Sequence, residues 1–176
     1  PQYAFEDMRD PDTDIAFRVG TFKDDRLVAR ELGAFRFYVV AAPAIAEKFN
    51  IARPGDLVGM PCLTFRRDLP RSTWTLHSET GDAAVEVTGP IAVRSYSILY
   101  EMVVAGQGFG FLPAFMVRAA ISNGTLARCL PDYVSRPYSV FLTYRPGARR
   151  IARVEATARL AEELVPEFLS EPTARE

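Results

Sequence analysis

The residue types that carry most enzyme chemistry are scarce in this sequence. It contains one histidine, His77, and two cysteines, Cys62 and Cys129. A Ser-His-Asp triad would therefore have a single candidate base, and a histidine-rich zinc site cannot be built. The alternation in STWTLHS places His77 opposite Trp74 and Leu76, which predicts an exposed strand histidine. Cys62 lies in the apolar stretch MPCLTF, where burial disfavours a thiolate, so we expect no catalytic residue, no metal site and no enzyme.

Three glycines at alternate positions in VAGQGFGFLPAF, namely Gly106, Gly108 and Gly110, raise the question of a phosphate-binding loop. A dinucleotide fingerprint requires a strand, then the glycines, then a helix whose N-terminus faces the phosphates. The order here is reversed, because residues 96–105 carry apolar side chains at helical spacing and GFGFLP alternates with a period of two. We therefore expect no cofactor at these glycines. The pattern predicts a left-handed helix terminus at Gly106, and close packing at Gly108 and Gly110 on a strand that ends at Pro113.

Composition and charge describe a globular chain with no electrostatic footprint for nucleic acid. The 176 residues are 48% hydrophobic, which is enough to form the core of one large domain or two small lobes. The formal net charge is −1 and the pI is near 6.0, whereas nucleic-acid-binding domains are typically basic. No apolar run reaches the roughly 18 residues of a membrane span, so no membrane partner is expected. The cysteines are expected as free buried thiols in a cytoplasmic protein. The abrupt start, PQYAFED, suggests a fragment, so the missing signal peptide proves little.

Strand and helix patterns alternate along the chain, which predicts an α/β class with a mostly parallel sheet. Ser95 is the natural N-cap of the helix that opens at Tyr96. A long amphipathic helix ends the chain. Its predicted buried face comprises Ile151, Val154, Ala158, Ala161 and Leu164. The predicted strands are DIAFRVG, LGAFRFYVVAAP, CLTFR, STWTLHS, AAVEVTG, IAVRS, GFGFLP, LARCLP and SVFLTYRP.

An ordered set of sequence blocks carries a family resemblance. The set runs from DIAFRVG through LVARELGAFRFYVVAAPAI, PGDLVGMPCLTF, Trp74 and GQGFGFLPAFMV to NGTLARCLP. It resembles the effector-binding domain of LysR-type transcriptional regulators from Asp14 to the terminal helix. The resemblance implies a type II periplasmic-binding-protein-like α/β fold, in which two lobes enclose a ligand cleft. It assigns residues 1–34 to lobe I, residues 35–145 to lobe II, and residues 146–176 to a return to lobe I.

Two departures from this family pattern concern the beginning of the sequence. The winged helix-turn-helix of such regulators is absent, so we expect this chain to reach DNA only through that missing N-terminal domain. Lobe I of the family also opens with a strand, a long helix and a second strand, where this sequence has only PQYAFEDMRDPDT. YAFEDM is a candidate for the second strand. Residues 9–13 are a candidate junction between pieces that are not contiguous in the natural polypeptide.

Ligands of open α/β sheets bind beyond the carboxyl ends of strands and at helix N-termini. Three short segments meet that condition, and by resemblance they line the effector cleft. They are Arg18, Val19 and Gly20; Thr64, Phe65 and Arg66; and Arg94, Ser95 and Tyr96. A helix dipole and an arginine favour a carboxylate, while Phe65 and Trp74 are candidates to cover an apolar body, so we expect a small organic acid. Exposed ion pairs for the arginines, a core position for Trp74 and a purely capping role for Ser95 remain alternatives.

The resemblance implies a ligand sensor that assembles as a homodimer or homotetramer. Tyr100 and Met102 extend the apolar surface of the helix around residues 97–105, which makes that helix a candidate interface. Effector binding would then shift lobe closure or dimer geometry and reposition the DNA-binding domains. The alternative is a solute-binding protein of a transporter, which shares the fold.

Overall fold

The structure is a computed structural model that describes residues 13–21, 24–65 and 71–170. The chain divides into two compact units at Phe35/Arg36 and at Arg136/Pro137. The first crossing lies one residue after the predicted boundary. The second lies before the predicted return at residue 146, because the SVFLTYR strand pairs with strands of the first unit rather than the second.

The predicted strand and helix blocks from DIAFRVG onwards correspond to elements of the structure, although LGAFRFYVVAAP is divided between two strands at Arg36. The candidate strand YAFEDM and all but the last residue of the candidate junction at residues 9–13 lie outside the described residues. The strands are β1 (Ile15–Val19), β2 (Val28–Phe35), β3 (Phe37–Ala41), β4 (Cys62–Phe65), β5 (Arg71–Ser78), β6 (Gly81–Thr88), β7 (Ala92–Val93), β8 (Phe109–Pro113), β9 (Ala127–Cys129) and β10 (Tyr138–Tyr144). The helices are α1 (Pro43–Phe49), α2 (Tyr96–Val104), α3 (Ala114–Ser122) and α4 (Ala152–Leu169), with 3-10 turns at Pro54–Leu57 and Ala148–Arg150.

The first unit is a three-stranded sheet covered by α4. The strand order is β1-β10-β2, and both pairings are antiparallel. Ala158 and Ala161 of α4 pack against Leu142 and its neighbours in the sheet. Small residues on this face of the helix allow it to lie close to the strands. The predicted buried face is correct for Val154, Ala158 and Ala161, but Ile151 and Leu164 are 40% and 55% exposed.

The second unit contains a five-stranded sheet and a β5–β6 hairpin. The sheet order is β7-β4-β8-β3-β9. β4 runs parallel to β7 and β8, whereas β3 runs antiparallel to β8 and β9. The prediction of a mostly parallel sheet is therefore wrong, since antiparallel pairing predominates among the described strands. Leu63, Leu99 and Val103 belong to one core cluster, and Trp74 and Phe109 belong to a second.

The glycine-rich turn between α2 and β8 has the predicted conformation. Gly106 has a φ of 71°, in the left-handed region. Its N–H donates to the Val103 carbonyl at 3.0 Å, and the next N–H, that of Gln107, donates to the Met102 carbonyl at 3.1 Å. These two bonds are those of a Schellman helix terminus. A Cβ atom at Gly108 would overlap the Pro61 carbonyl oxygen, so the turn is packing scaffold.

Candidate functional site

The carboxyl end of β4 lies beside the start of α2 in the second unit. Thr64 pairs with Ala92 and Phe65 with Val93, which are the last residues of β7 before the chain turns into the helix. Ser95 adopts extended backbone angles, and its hydroxyl accepts a hydrogen bond from the Ile98 N–H at 3.5 Å. The predicted N-cap is therefore confirmed. The structure brings the predicted site residues at positions 64–65 and 94–96 to one edge of the sheet.

Two aromatic rings meet at this edge. The rings of Phe65 and Tyr96 are parallel, with their centroids 3.9 Å apart. Tyr96 also approaches Phe37, whose ring is tilted by 50° at a centroid distance of 5.8 Å. Both site rings are half-buried. An aromatic cluster therefore borders the N-terminus of α2. The part of Phe37, which is 3% exposed, could not be predicted because that residue is distant in the sequence.

Thr64 is the buried polar residue of this site. Its exposed fraction is 0%, and its hydroxyl has no hydrogen-bond partner in the described structure. A buried hydroxyl without a partner costs free energy that folding must offset elsewhere. Strand alternation places Thr64 on the same face of β4 as Cys62, and Phe65 on the face of Leu63. The site thus combines an unsatisfied hydroxyl with an aromatic pair on the opposite face of the same strand.

Positive charge reaches the site from a side chain and from the backbone. Arg94 is exposed, and the ion pairs among the described residues do not include it. The N-terminus of α2 adds a partial positive charge, because its first N–H groups point out of the helix. Arg66, the remaining predicted cation near β4, lies outside the described residues.

The other predicted segment, Arg18 to Gly20, belongs to the first unit. Val19 pairs with Val140 at the end of β1. The Gly20 N–H donates to the Ser139 carbonyl at 2.9 Å, and Gly20 has a φ of 96°, which favours glycine. Arg18 contributes to the lowered pKa of Asp24, although the larger cause of that lowered pKa is hydrogen bonding from Arg26.

The contacts of Trp74 and His77 give these two residues structural roles. Trp74 is 4% exposed and stacks on Phe111 at a centroid distance of 5.3 Å, so it belongs to the core. The alternative prediction of a core position for Trp74 is therefore confirmed. The prediction of an exposed His77 is wrong: its side chain is 16% exposed, and Nδ1 lies 2.6 Å from an Asp82 carboxylate oxygen. The His77 N–H donates to the Val134 carbonyl at 2.7 Å, and the Val134 N–H donates to the His77 carbonyl at 3.0 Å. This bridge outside the hairpin explains why strand alternation alone misplaced His77.

Both cysteines are free and buried. Burial raises the pKa of the Cys62 thiol to about 12 and that of the Cys129 thiol to about 11. Neither thiol therefore has the depressed pKa of a nucleophile. Among the described residues there is no group of three or more His, Cys, Asp or Glu side chains suited to a metal ion. In the same part of the chain, no helix is long and apolar enough to cross a membrane.

Comparison with known sequences identifies the family. Residues 1–166 match the LysR substrate binding domain family, and the chain belongs to that family. It is 29% identical over 153 residues to the HTH-type transcriptional regulator DmlR of Escherichia coli, covering 86% of this chain and 50% of DmlR. It is 30% identical over 146 residues to the regulator PtxR of Pseudomonas aeruginosa, covering 82% of this chain and 46% of PtxR. The chain thus spans about half the length of these relatives.

Solved structures of regulators share the fold. The LysR-type transcriptional regulator CrgA of Neisseria meningitidis superimposes with a TM-score of 0.75 at 25% identity, covering 89% of this chain and 53% of that CrgA chain. The CrgA regulatory domain gives 0.74 at 26% identity, with coverage of 89% and 76%. The predicted type II periplasmic-binding-protein-like fold and the family resemblance are both confirmed. The chain is a LysR-type effector-binding domain rather than a transporter's solute-binding protein, and this family of transcription regulators is not catalytic in general.

Proposed function

We propose that this domain binds a small organic anion at the edge formed by β4 and the start of α2. The observation that carries the proposal is the meeting of the carboxyl end of β4 with the start of α2, at a strand end where the buried Thr64 hydroxyl has no hydrogen-bond partner among the described residues. An orphan hydroxyl costs less when a ligand oxygen completes its hydrogen bonding. The same site offers backbone N–H groups and a helix dipole that favour negative charge.

The rest of the site suits an acid with a flat apolar body. Phe65 and Tyr96 are half-buried and stack on each other at the start of α2, and aromatic rings bind planar ligands by offset stacking or edge-to-face contact. Arg94 is an exposed cation close to the same helix start, and a guanidinium binds a carboxylate through two parallel hydrogen bonds. An aromatic carboxylate therefore matches the chemistry better than a neutral or cationic ligand.

In the intact regulator, this binding event would control transcription. The chain covers half of relatives that are named HTH-type regulators, so we assign DNA contact to a winged helix-turn-helix outside this sequence. We also propose a homodimer or homotetramer of a cytoplasmic regulator. On α2 the side chain best placed for such a contact is Ile98, which is 54% exposed, because Tyr100 and Met102 pack partly on their own core.

Thermal shift with matched acids and amides tests the proposed ligand class. Benzoate should raise the melting temperature, whereas benzamide, which keeps the ring and loses the charge, should not. At one hundred times its dissociation constant, a ligand adds about 2.7 kcal/mol to the unfolding free energy. For a chain of this size that corresponds to a shift of roughly 5–10 °C. Acetate separates the contribution of the carboxylate from that of the ring.

Variants test whether the ligand binds at this edge. Ser95→Ala should abolish the benzoate shift, whereas Ser122→Ala, which changes an exposed serine at the end of α3, should leave it intact. An equal response to benzoate and benzamide would overturn the anionic class. A benzoate shift that survives Ser95→Ala would move the site elsewhere.

A further inference from the structure

The guanidinium group of Arg128, a half-buried residue of β9, has few partners within the protein. Its Nη2 group donates to the Pro131 carbonyl at 2.8 Å. Its Nε atom is buried and has no hydrogen-bond partner in the described structure. The ion pairs between described residues include neither Arg128 nor Asp132, the acidic residue of the following turn. A partly desolvated positive charge therefore lies here without a carboxylate from that part of the chain, an arrangement that costs free energy.

An aromatic ring holds this guanidinium at the edge of the sheet. The Cζ atom of Arg128 lies over the Tyr38 ring, 3.9 Å from its centroid. Tyr38 belongs to β3, and β9 is the neighbouring strand at the end of the five-stranded sheet. A guanidinium is weakly hydrated and stacks well on aromatic rings, and this contact uses none of its N–H groups. The ring therefore positions the charge and leaves hydrogen-bond donors for another group.

A strained turn fixes the carbonyl that binds Arg128. Leu130 has a φ of 53°, in the left-handed region that leucine rarely adopts, and it is 3% exposed. Its carbonyl accepts a hydrogen bond from the Tyr133 N–H at 2.9 Å, which closes the turn around Pro131. Such a backbone conformation persists only where the surrounding structure enforces it. The Pro131 carbonyl is thus a fixed anchor, so little side-chain freedom remains to be lost when a ligand binds Arg128.

We propose that Arg128 binds the carboxylate group of a small organic acid. Its Nη1 group makes no hydrogen bond with a described residue and is not among the buried atoms, so it reaches solvent. With Nε buried and one Nη2 hydrogen given to Pro131, both Nη1 hydrogens and the second Nη2 hydrogen remain for a ligand. A carboxylate accepts such charge-assisted bonds and matches the single positive charge. A phosphate dianion would retain an unpaired charge at this site.

This site is distinct from the edge formed by β4 and the start of α2. In the sheet order β7-β4-β8-β3-β9, two strands separate β4 from β9. The spacing of neighbouring strands makes that separation about 14 Å, which is too far for one small acid to contact both places. Carboxylate binding at Arg128 is therefore independent of ligand binding at the β4–α2 edge.

Side-chain NMR of the full chain tests the site with acetate as the probe. The buried Nε–H of Arg128 should exchange slowly with water and give a resolved signal, identified by its loss in Arg128→Lys. Sodium acetate should shift that signal in a saturable way. Acetamide, which keeps the shape and loses the charge, should not, and neither should sodium chloride at equal ionic strength. Absence of a saturable shift, or an equal response to acetamide, would overturn the proposal.

Matched arginine variants test whether acetate binds through Arg128. Arg128→Lys keeps the charge and loses the planar fork, so acetate affinity, followed at the Tyr133 backbone amide, should fall at least about tenfold. Arg150→Lys is the control and should leave the affinity unchanged, because Arg150 is exposed and belongs to no ion pair of the described residues. Circular dichroism melts establish that both variants fold. Undiminished affinity in Arg128→Lys would overturn the proposal.

Ser95→Ala separates this site from the proposed effector site. The Arg128 signal should respond to acetate in Ser95→Ala as it does in the parent chain, even where that variant loses its response to benzoate. A failure of benzoate binding alone therefore leaves the Arg128 site in place. Loss of the Arg128 response in Ser95→Ala would overturn the Arg128 site, because acetate would then act from the β4–α2 edge.

Discussion

The hydroxyl oxygen of Ser135 accepts a hydrogen bond from the backbone N–H of Phe37 at 2.8 Å. The same hydroxyl donates to the Arg136 carbonyl at 2.6 Å, and the Arg36 side chain donates to the Ser135 carbonyl at 3.0 Å. Ser135 is 2% exposed. These bonds hold the first and last residues of the second unit together, at the points where the chain enters and leaves it.

Removing that hydroxyl should destabilise the second unit. Ser135→Ala leaves the buried Phe37 N–H without its acceptor, which costs about 1–3 kcal/mol of unfolding free energy. Urea denaturation measures the change. The exposed Ser122→Ala variant should differ from the parent by less than about 0.5 kcal/mol. Equal stability of the two variants would mean that the backbone pairing alone holds these segments.

Two glycines should respond in opposite directions to the same substitution. Gly108→Ala places a Cβ against the Pro61 carbonyl at a φ of 149°, so we expect a loss of at least about 3 kcal/mol. Gly55 has open space around its Cα, and Gly55→Ala should stabilise by about 0.4–1 kcal/mol by restricting the unfolded chain. Thermal melts of both variants test this pair, and a harmless Gly108→Ala would show that the turn can shift.

The buried thiols should resist modification in the folded protein. The raised pKa of Cys62, about 12 against an ordinary 9.0, leaves roughly 1,000-fold less thiolate at pH 8 than a free cysteine has. An aromatic disulfide reagent should therefore react slowly with the native chain and rapidly with both cysteines in urea. Because the folded pKa is raised, the thiols favour the folded state below pH 9, and this contribution falls as the pH rises towards 12. Rapid native labelling would contradict the burial.

Features set by neighbouring residues could be predicted from the sequence. The Ser95 cap and the left-handed Gly106 depend on a few adjacent positions, and both are confirmed. The position of Thr64 near the start of α2 could also be predicted from the sequence, because the carboxyl ends of strands and the starts of the following helices lie at the same edge of a sheet.

Features set by distant pairing could not be predicted. Strand direction depends on which strands meet, so the antiparallel β3–β8 and β3–β9 pairs were missed. The His77 backbone bonds to Val134, a residue far along the chain. The missing hydrogen-bond partner of Thr64 likewise depends on every element around it, so it is visible only in the folded chain.

The turn before α4 should carry a pH-dependent part of the stability. Arg149 binds the Glu155 carboxylate through two bonds, at 2.6 and 3.0 Å, and Glu162 through a third at 2.9 Å. The Arg149 hydrogen bond lowers the pKa of Glu155. A lowered folded-state pKa adds stability above the ordinary carboxyl pKa, and that stability is lost as the pH falls through the lowered value.

Arg149→Met should therefore melt below the parent at pH 7, and the difference should shrink as the pH falls below about 4. Arg150→Met is the control, because the ion pairs of the described residues do not include Arg150. Scanning calorimetry across this pH range measures both variants. A difference that stays constant with pH would assign the effect to lost packing.

Thr64 and Thr143 form a matched pair for separating stability from ligand binding. Both are 0% exposed, but the Thr143 hydroxyl donates to the Ala16 carbonyl at 3.1 Å, whereas the Thr64 hydroxyl has no partner within the described part of the chain. Thr143→Val should lose about 1 kcal/mol with its hydrogen bond. Thr64→Val removes an unsatisfied polar group and should gain about 1 kcal/mol, while abolishing the thermal response to benzoate. A destabilised Thr64→Val would reveal an internal partner for the hydroxyl, and a stabilised variant that still responds would leave the hydroxyl outside the ligand site.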